Sequence, residues 1–119
     1  MLEPILGSSG SEKVLMFLLA RNESYAREIS RFFETDLDPI QKQLVKLEKG
    51  GVLVSRSVGR TRVFSFNPRY PMLEELRSLL KKSLQFYPDD VREKLLMNRR
   101  RPRRPGKPSK PRMTRISPM

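Results

Sequence analysis

DLDPIQKQLVKLEKGGVLVSRSVGRTRVFSFNP, residues 36–68, changes its hydrophobic period partway along. In the first half Ile40, Leu44 and Leu47 fall on one side of a helix, while Lys42, Lys46 and Lys49 lie roughly opposite and Gln41 and Gln43 flank the stripe. Asp36 is placed to cap that helix through its carboxylate, and Pro39 in the first turn gives up no hydrogen bond the helix needs. Gly50-Gly51 ends it, one glycine being free to take the left-handed conformation. Residues 52–56 and 61–66 then alternate with period two around Ser57-Val58-Gly59-Arg60, which predicts a two-stranded hairpin carrying Arg56, Arg60 and Arg62.

Upstream, Val14, Leu15, Leu18 and Leu19 recur at helical spacing after Ser11, a suitable N-cap, with Met16 and Phe17 as further core candidates. Ile5 and Leu6 are expected to form a short turn against this helix. Ser24 can cap a second helix whose inward stripe is Ala26, Ile29, Phe32 and Phe33, with Arg27 and Arg31 outside. Tyr25, Phe64 and Phe66 are also assigned to the core or its edge. Downstream of the hairpin, Pro68 and Pro71 bracket a loop, and Met72, Leu73, Leu76, Leu79, Leu80, Leu84 and Tyr87 describe a longer amphipathic helix. Beyond Pro88, Asp89 or Asp90 can cap a last short helix reaching about Met97.

The predicted fold is therefore mainly α with a small β-hairpin. Three helices with a tight turn between the second and third, then a hairpin and a C-terminal amphipathic helix, make a winged helix-turn-helix arrangement. We expect a winged domain over residues 1–71, a helical extension over 72–97 and a basic arm over 98–119. The length suits one compact core plus appendages.

Charge bounds the function. The 119 residues hold 25 Lys and Arg against 13 Asp and Glu, a net charge of +12, and so positive a field favours a polyanionic partner. The excess sits in residues 98–119, where nine Lys or Arg and five Pro occur without one acidic residue. With no Cys and no His, thiolate chemistry, zinc-thiolate sites and the commonest general base are excluded. The paired carboxylates Asp36 with Asp38 and Asp89 with Asp90 read as helix caps. No enzymatic activity, metal or cofactor is expected. The longest apolar run, residues 14–20, is too short to cross a bilayer, and the N-terminus has no basic secretory n-region, so a soluble cytoplasmic protein is expected.

The sequence also resembles the bacterial and archaeal winged-helix regulators of the ArsR/MarR-like class, especially the compact form attached to or beside nucleotidyltransferase domains. The resemblance is carried by Ile5-Leu6-Gly7-Ser8, Tyr25-Ala26-Arg27-Glu28-Ile29, Ile40-Gln41-Lys42-Gln43-Leu44 with Lys46-Leu47-Glu48, Gly51-Val52-Leu53, and Gly59-Arg60-Thr61-Arg62-Val63-Phe64. Phe66-Asn67-Pro68-Arg69-Tyr70-Pro71-Met72 with Glu75-Leu76 extends it. Glu34 and Thr35 depart from it, standing where that class usually has Gly and an apolar residue. The resemblance implies a prokaryotic, nucleoid-associated transcriptional regulator that binds double-stranded DNA, often as a homodimer, with a nucleotidyltransferase-type or other protein as a further partner.

On chemical grounds Gln41 and Gln43 can pair bidentately with adenine, and Lys42 and Lys46 can reach guanine edges or phosphates. Residues 36–50 would then be the recognition helix in the major groove and residues 52–66 the wing. Arg27, Arg56, Arg60 and Arg62 suit the sugar-phosphate backbone, giving affinity that falls as salt rises. The blander reading of the same lysines is a solvated helix face. Leu73, Leu76, Leu80, Leu84 and Tyr87 form either a dimerisation seam or a helix that closes the protomer's own core. In the arm, prolines 102, 105, 108 and 111 recur every three residues, the period of a polyproline II helix, so cations such as Arg103, Arg104 and Lys107 would project from its other edges. Gly106-Lys107-Pro108 faintly resembles the minor-groove AT-hook, with Lys at the central place. The arm reads as an added DNA grip, a solubilising tail or a Pro-rich ligand. The alternative function is a winged-helix adaptor for protein partners, its arm binding an acidic one.

Overall fold

The structure, a computed structural model, describes residues 1–97. Its elements run α1 (Glu3–Leu6), α2 (Ser9–Arg21), β1 (Glu23–Ser24), α3 (Ala26–Phe33), α4 (Leu37–Lys49), β2 (Leu53–Val58), β3 (Thr61–Phe66), α5 (Leu73–Leu84) and α6 (Asp89–Leu96). The expected order of helices and hairpin is present. The hairpin belongs to a three-stranded antiparallel sheet, order β1-β3-β2, because Glu23 and Ser24 pair with Ser65 and Phe64. Two residues carry no readable alternation, so that strand exists only through its partner.

α2 is the hub. Val14, Leu15, Met16, Phe17 and Leu18 are all buried, five in succession, so this helix is enclosed on every side. It contacts α1, α3, α4, α5, α6 and β1. Phe17 meets Phe32 and Phe33 edge-on, with ring centroids 5.2 and 6.3 Å away. Its N-cap is Ser8, whose hydroxyl accepts from the Ser11 amide at 3.1 Å; Ser11, expected as the cap, lies one turn inside. Both residues are serine, and cap choice depends on where the preceding turn ends, here at left-handed Gly7. Ser24 likewise does not cap α3. It is buried in β1, Tyr25 takes the N-cap position, and the Ser24 hydroxyl donates to Glu28 in the first turn.

The turn between α3 and α4 explains the departure at Glu34 and Thr35. Glu34 takes the left-handed C-cap conformation (φ 53°, ψ 51°), its amide donating to Arg31 and that of Thr35 to Ser30. A side chain in that conformation costs on the order of 1–2 kcal/mol, partly offset by the lower unfolded-state entropy of a non-glycine residue. Glu34 is exposed and loses no packing on substitution. Glu34→Gly is therefore expected to stabilise the chain by about 0.5–1 kcal/mol, read as a higher urea midpoint at constant slope.

Leu80, Leu84 and Leu95 join the same core as α2, Ile29, Ile40, Leu44 and Leu53, with Leu73, Leu76 and Tyr87 packed against it. Residues 72–97 thus complete the winged core. Of the residues expected at a dimer seam, Leu80 and Leu84 are buried within the protomer and Tyr87 donates its hydroxyl hydrogen to Glu12. A leucine stripe looks the same whether it covers its own core or a partner, which is why the sequence pattern admits both a seam and a core-closing helix; Leu80 and Leu84 follow the second. Arg21 secures the last helix: its Nε and Nη2 donate to the carbonyls of Leu95 and Lys94, both at 2.9 Å, while the guanidinium lies 4.8 Å from the Phe17 ring.

Glu12 is the buried carboxylate of this core edge. It accepts from the Leu2 amide at 2.8 Å, from the terminal ammonium of Met1 at 3.2 Å and from Tyr87. Burial alone would raise its pKa, but the donors outweigh burial and hold it below the ordinary value of 4.5. Burial and the same carboxylate push the Tyr87 phenol up. A depressed carboxyl contributes stability that is present above 4.5 and lost as pH falls through the lowered value. Glu12→Gln is therefore expected to be about 1.5–3 kcal/mol less stable than wild type at pH 7, with the gap narrowing as acid titrates wild-type Glu12. Parallel denaturant curves from pH 7 to 3 would measure it.

Candidate nucleic-acid interface

The α4 helix is set by its inner face. Ile40 and Leu44 are buried and Leu47 packs against the core, as their spacing requires. Asp36 occupies the N-cap position, yet its carboxylate accepts no hydrogen bond from the first turn, unlike the expected cap. Gln43 is half-buried and turned onto α2, its Oε1 accepting from the Ser11 hydroxyl at 2.6 Å. It stands three residues after Ile40 and four before Leu47, inside the buried stripe, and that spacing is the signal that separates it from Gln41. A Cβ on Gly10 would come within 3.0 Å of the Gln43 side chain, so the two helices meet closely there. The outward face consists of Gln41, Lys42, Val45, Lys46 and Lys49, all exposed. Lys42 lies 3.1 Å from Asp38 one turn earlier, an exposed pair of little energetic weight.

The wing follows without slack. Gly51, with φ 83°, is the left-handed glycine of the helix exit; Gly50 remains right-handed. Asn67 then ties the far end of β3 back to that exit, its side-chain amide donating to the Gly51 carbonyl at 2.8 Å and its backbone amide to Val52 at 2.9 Å. The second strand begins at Thr61 as expected, while the first runs two residues further toward the tip than the alternation suggested, to Val58, leaving Gly59 and Arg60 as a two-residue connection with Gly59 at φ 63°.

Register divides the wing arginines. Arg56 pairs with Val63 on the sheet face away from the core, where it meets Glu23 of β1 at 2.8 and 3.3 Å. The hydrogen bond from Arg56 to that carboxylate raises the arginine's pKa further. Arg62 pairs with Ser57 on the core-facing side. There its Nε–H donates to the Ser55 hydroxyl oxygen at 2.9 Å, and the Ser55 hydroxyl donates to Glu48 of α4 at 2.6 Å. One chain of hydrogen bonds thus joins α4 to both wing strands and fixes one end of the Arg62 guanidinium.

Between α4 and the wing lies a groove of about 630 Å³. Arg27 from the start of α3, Gln41 from α4, and Arg60 and Arg62 from the wing all line it, with Val45 and Phe64 in its apolar wall. Four of the sequence-predicted residues, from three separated segments, therefore share one cleft. Lys42 and Lys46 line a shallower depression along the same helix, and Arg56 stands apart with Glu23. Arg103, Arg104 and Lys107 lie outside the described residues. The sequence reading missed Val45 as part of this surface and Glu48 and Ser55 as its support; the period marks Val45 as outward, whereas the Glu48–Ser55 contact depends on strand placement. Among the described residues no helix is long and apolar enough to cross a membrane, and no group of three or more His, Cys, Asp or Glu side chains is placed to hold a metal ion.

Among the described residues, six helices, a helix-turn-helix and a three-stranded sheet ending in a hairpin wing define a winged-helix fold. Among solved structures the chain is similar to Lactococcus lactis ZitR, a double mutant in apo form, with TM-score 0.51 and 18% identity over 73% of this chain and 74% of that one. A second structure of that ZitR mutant aligns with TM-score 0.47 and 17% identity over 73% of this chain and 67% of that one. No protein-family model and no curated protein matches the sequence.

Proposed function

We propose that the chain is a DNA-binding transcriptional regulator that lays the outward face of α4 in the major groove and runs the β2–β3 wing along the adjacent phosphates. The observation that carries this reading is the groove that collects Arg27, Gln41, Arg60 and Arg62 beside a lysine-bearing helix on a winged-helix fold. Gln41 is the glutamine with its amide outward, suited to the adenine edge, while Lys42 and Lys46 reach guanine edges or phosphates. Arg27, Arg60 and Arg62 supply charge to the backbone. Residues 98–119 add cationic contacts, and two protomers would set their α4 helices about 34 Å apart, or a multiple of it, on a pseudo-palindrome. With Leu80 and Leu84 inside the protomer, such a dimer would use the partly exposed members of the stripe, Leu73, Leu76 and Tyr87, in its seam. A regulator of this kind works on nucleoid DNA in a prokaryotic cytoplasm.

Selection of bound sequences from a random duplex pool, followed by salt titration of the selected duplex with the full chain and with a chain ending at residue 98, tests this reading. The full chain is expected to bind with a steep negative salt dependence, and removal of residues 99–119 to weaken binding and flatten that dependence. Negligible affinity for every duplex at low salt would leave the adaptor reading in its place, and an unchanged dissociation constant on truncation would remove the arm's role.

A further inference from the structure

Val45 is the apolar residue on an otherwise polar, cationic helix face. It is 45% exposed and stands among Gln41, Lys42, Lys46 and Lys49. It belongs neither to the hydrophobic core nor to the partly buried residues packed against it. A β-branched residue is also a poorer helix former than the lysines and glutamines around it. Folding therefore gives no reason for valine here. Its position does: Val45 and, one turn earlier, Gln41 line both the 630 Å³ groove toward the wing and a depression of about 440 Å³ along α4, so the two residues form the ridge between them.

Resting on the proposed DNA-binding reading, we infer that Val45 is a specificity-determining contact for the C5-methyl group of a thymine in the major groove. Thymine is distinguished there by a methyl group that polar side chains cannot recognise and an aliphatic one can. A helical valine is held almost entirely in one χ1 rotamer, so its two methyl groups present a fixed apolar surface at little entropic cost. Gln41 is one turn earlier on the same face, close enough for the two side chains to meet neighbouring base pairs. Gln41 reads an adenine through N6 and N7, and Val45 reads a thymine methyl beside it. The surrounding lysines hold the helix against the phosphates and keep the methyl contact shielded from water.

The test compares a selected duplex with versions in which each thymine in turn is replaced by deoxyuridine, which lacks the methyl group and keeps every hydrogen-bonding atom. For the wild-type chain, one replacement next to a required adenine is expected to weaken binding roughly fourfold, the value of one buried methyl group. Val45→Ala, whose smaller side chain favours the helix and should not lower the melting temperature, is expected to bind the thymine duplex more weakly and to lose most of the preference for thymine over deoxyuridine. Indifference of the wild type to every replacement, or an undiminished preference in Val45→Ala, would overturn the assignment while the selected duplex still bound and the regulator reading stood. Failure of the wild type to select any duplex would remove both together.

Discussion

Arg62→Ala is expected to lower duplex affinity by roughly ten- to a hundredfold, the range for losing a hydrogen bond to a charged partner. Whereas Arg56 is held by the Glu23 carboxylate, Arg62 is held before any ligand arrives by a neutral hydroxyl. Its Nε is committed to Ser55, which is in turn fixed by Glu48, so less conformational freedom is lost when the remaining nitrogens meet a phosphate. The side chain is exposed, so the variant should fold as wild type does. Arg56→Ala should cost less, because a phosphate would have to take Arg56 from Glu23. Anisotropy titrations from low to physiological salt would show the slope of log affinity against log salt falling by about 0.9 for Arg62→Ala. Ser55→Ala should reproduce part of the loss in affinity with the slope intact, since the charge remains and only its orientation is relaxed. An Arg62→Ala chain that binds as tightly as wild type would show that Arg62 does not touch DNA.

Leu80→Ala is expected to destabilise the protomer by about 2–5 kcal/mol, the cost of a cavity at a fully buried leucine. The midpoint in urea should fall by the same amount at low and high protein concentration, because the lost contacts lie between α5 and α2 within one chain. A seam residue would behave differently: its loss would shift the association equilibrium, and the apparent stability would depend on concentration. Sedimentation velocity on the variant and wild type, alongside the urea curves, distinguishes the two. A concentration-dependent midpoint with little change in the dilute limit would return Leu80 to a dimer interface.

What could be read in advance followed the range over which each feature is determined. The change of period across residues 36–66 located α4 and the hairpin because burial of one face fixes both. The exits at Gly51 and Gly59 were visible because only certain residues take positive φ cheaply. Features depending on distant chain were hidden. β1 exists by pairing with residues forty positions later, and Ser24 looked like a helix cap until that pairing buried it. The Glu48–Ser55–Arg62 chain requires the helix and both strands to be in place. The division of Gln41 from Gln43 was available in the helical angle, but a polar side chain on a buried stripe is informative only once its partner, Ser11, is known. Glu12 gave no signal at all: its partners Met1, Leu2 and Tyr87 are brought together by the closing of the whole core.

The enclosure of α2 on all sides has a consequence for how such a chain can change over generations. Substitutions at residues 14–18 disturb several neighbours at once and will be purged, whereas the outer surface of α4 touches nothing inside. If α4 reads DNA as proposed, preference for one operator over another can therefore drift at nearly constant thermal tolerance, and a lineage that duplicates this chain can reprogram the copy without rebuilding its interior.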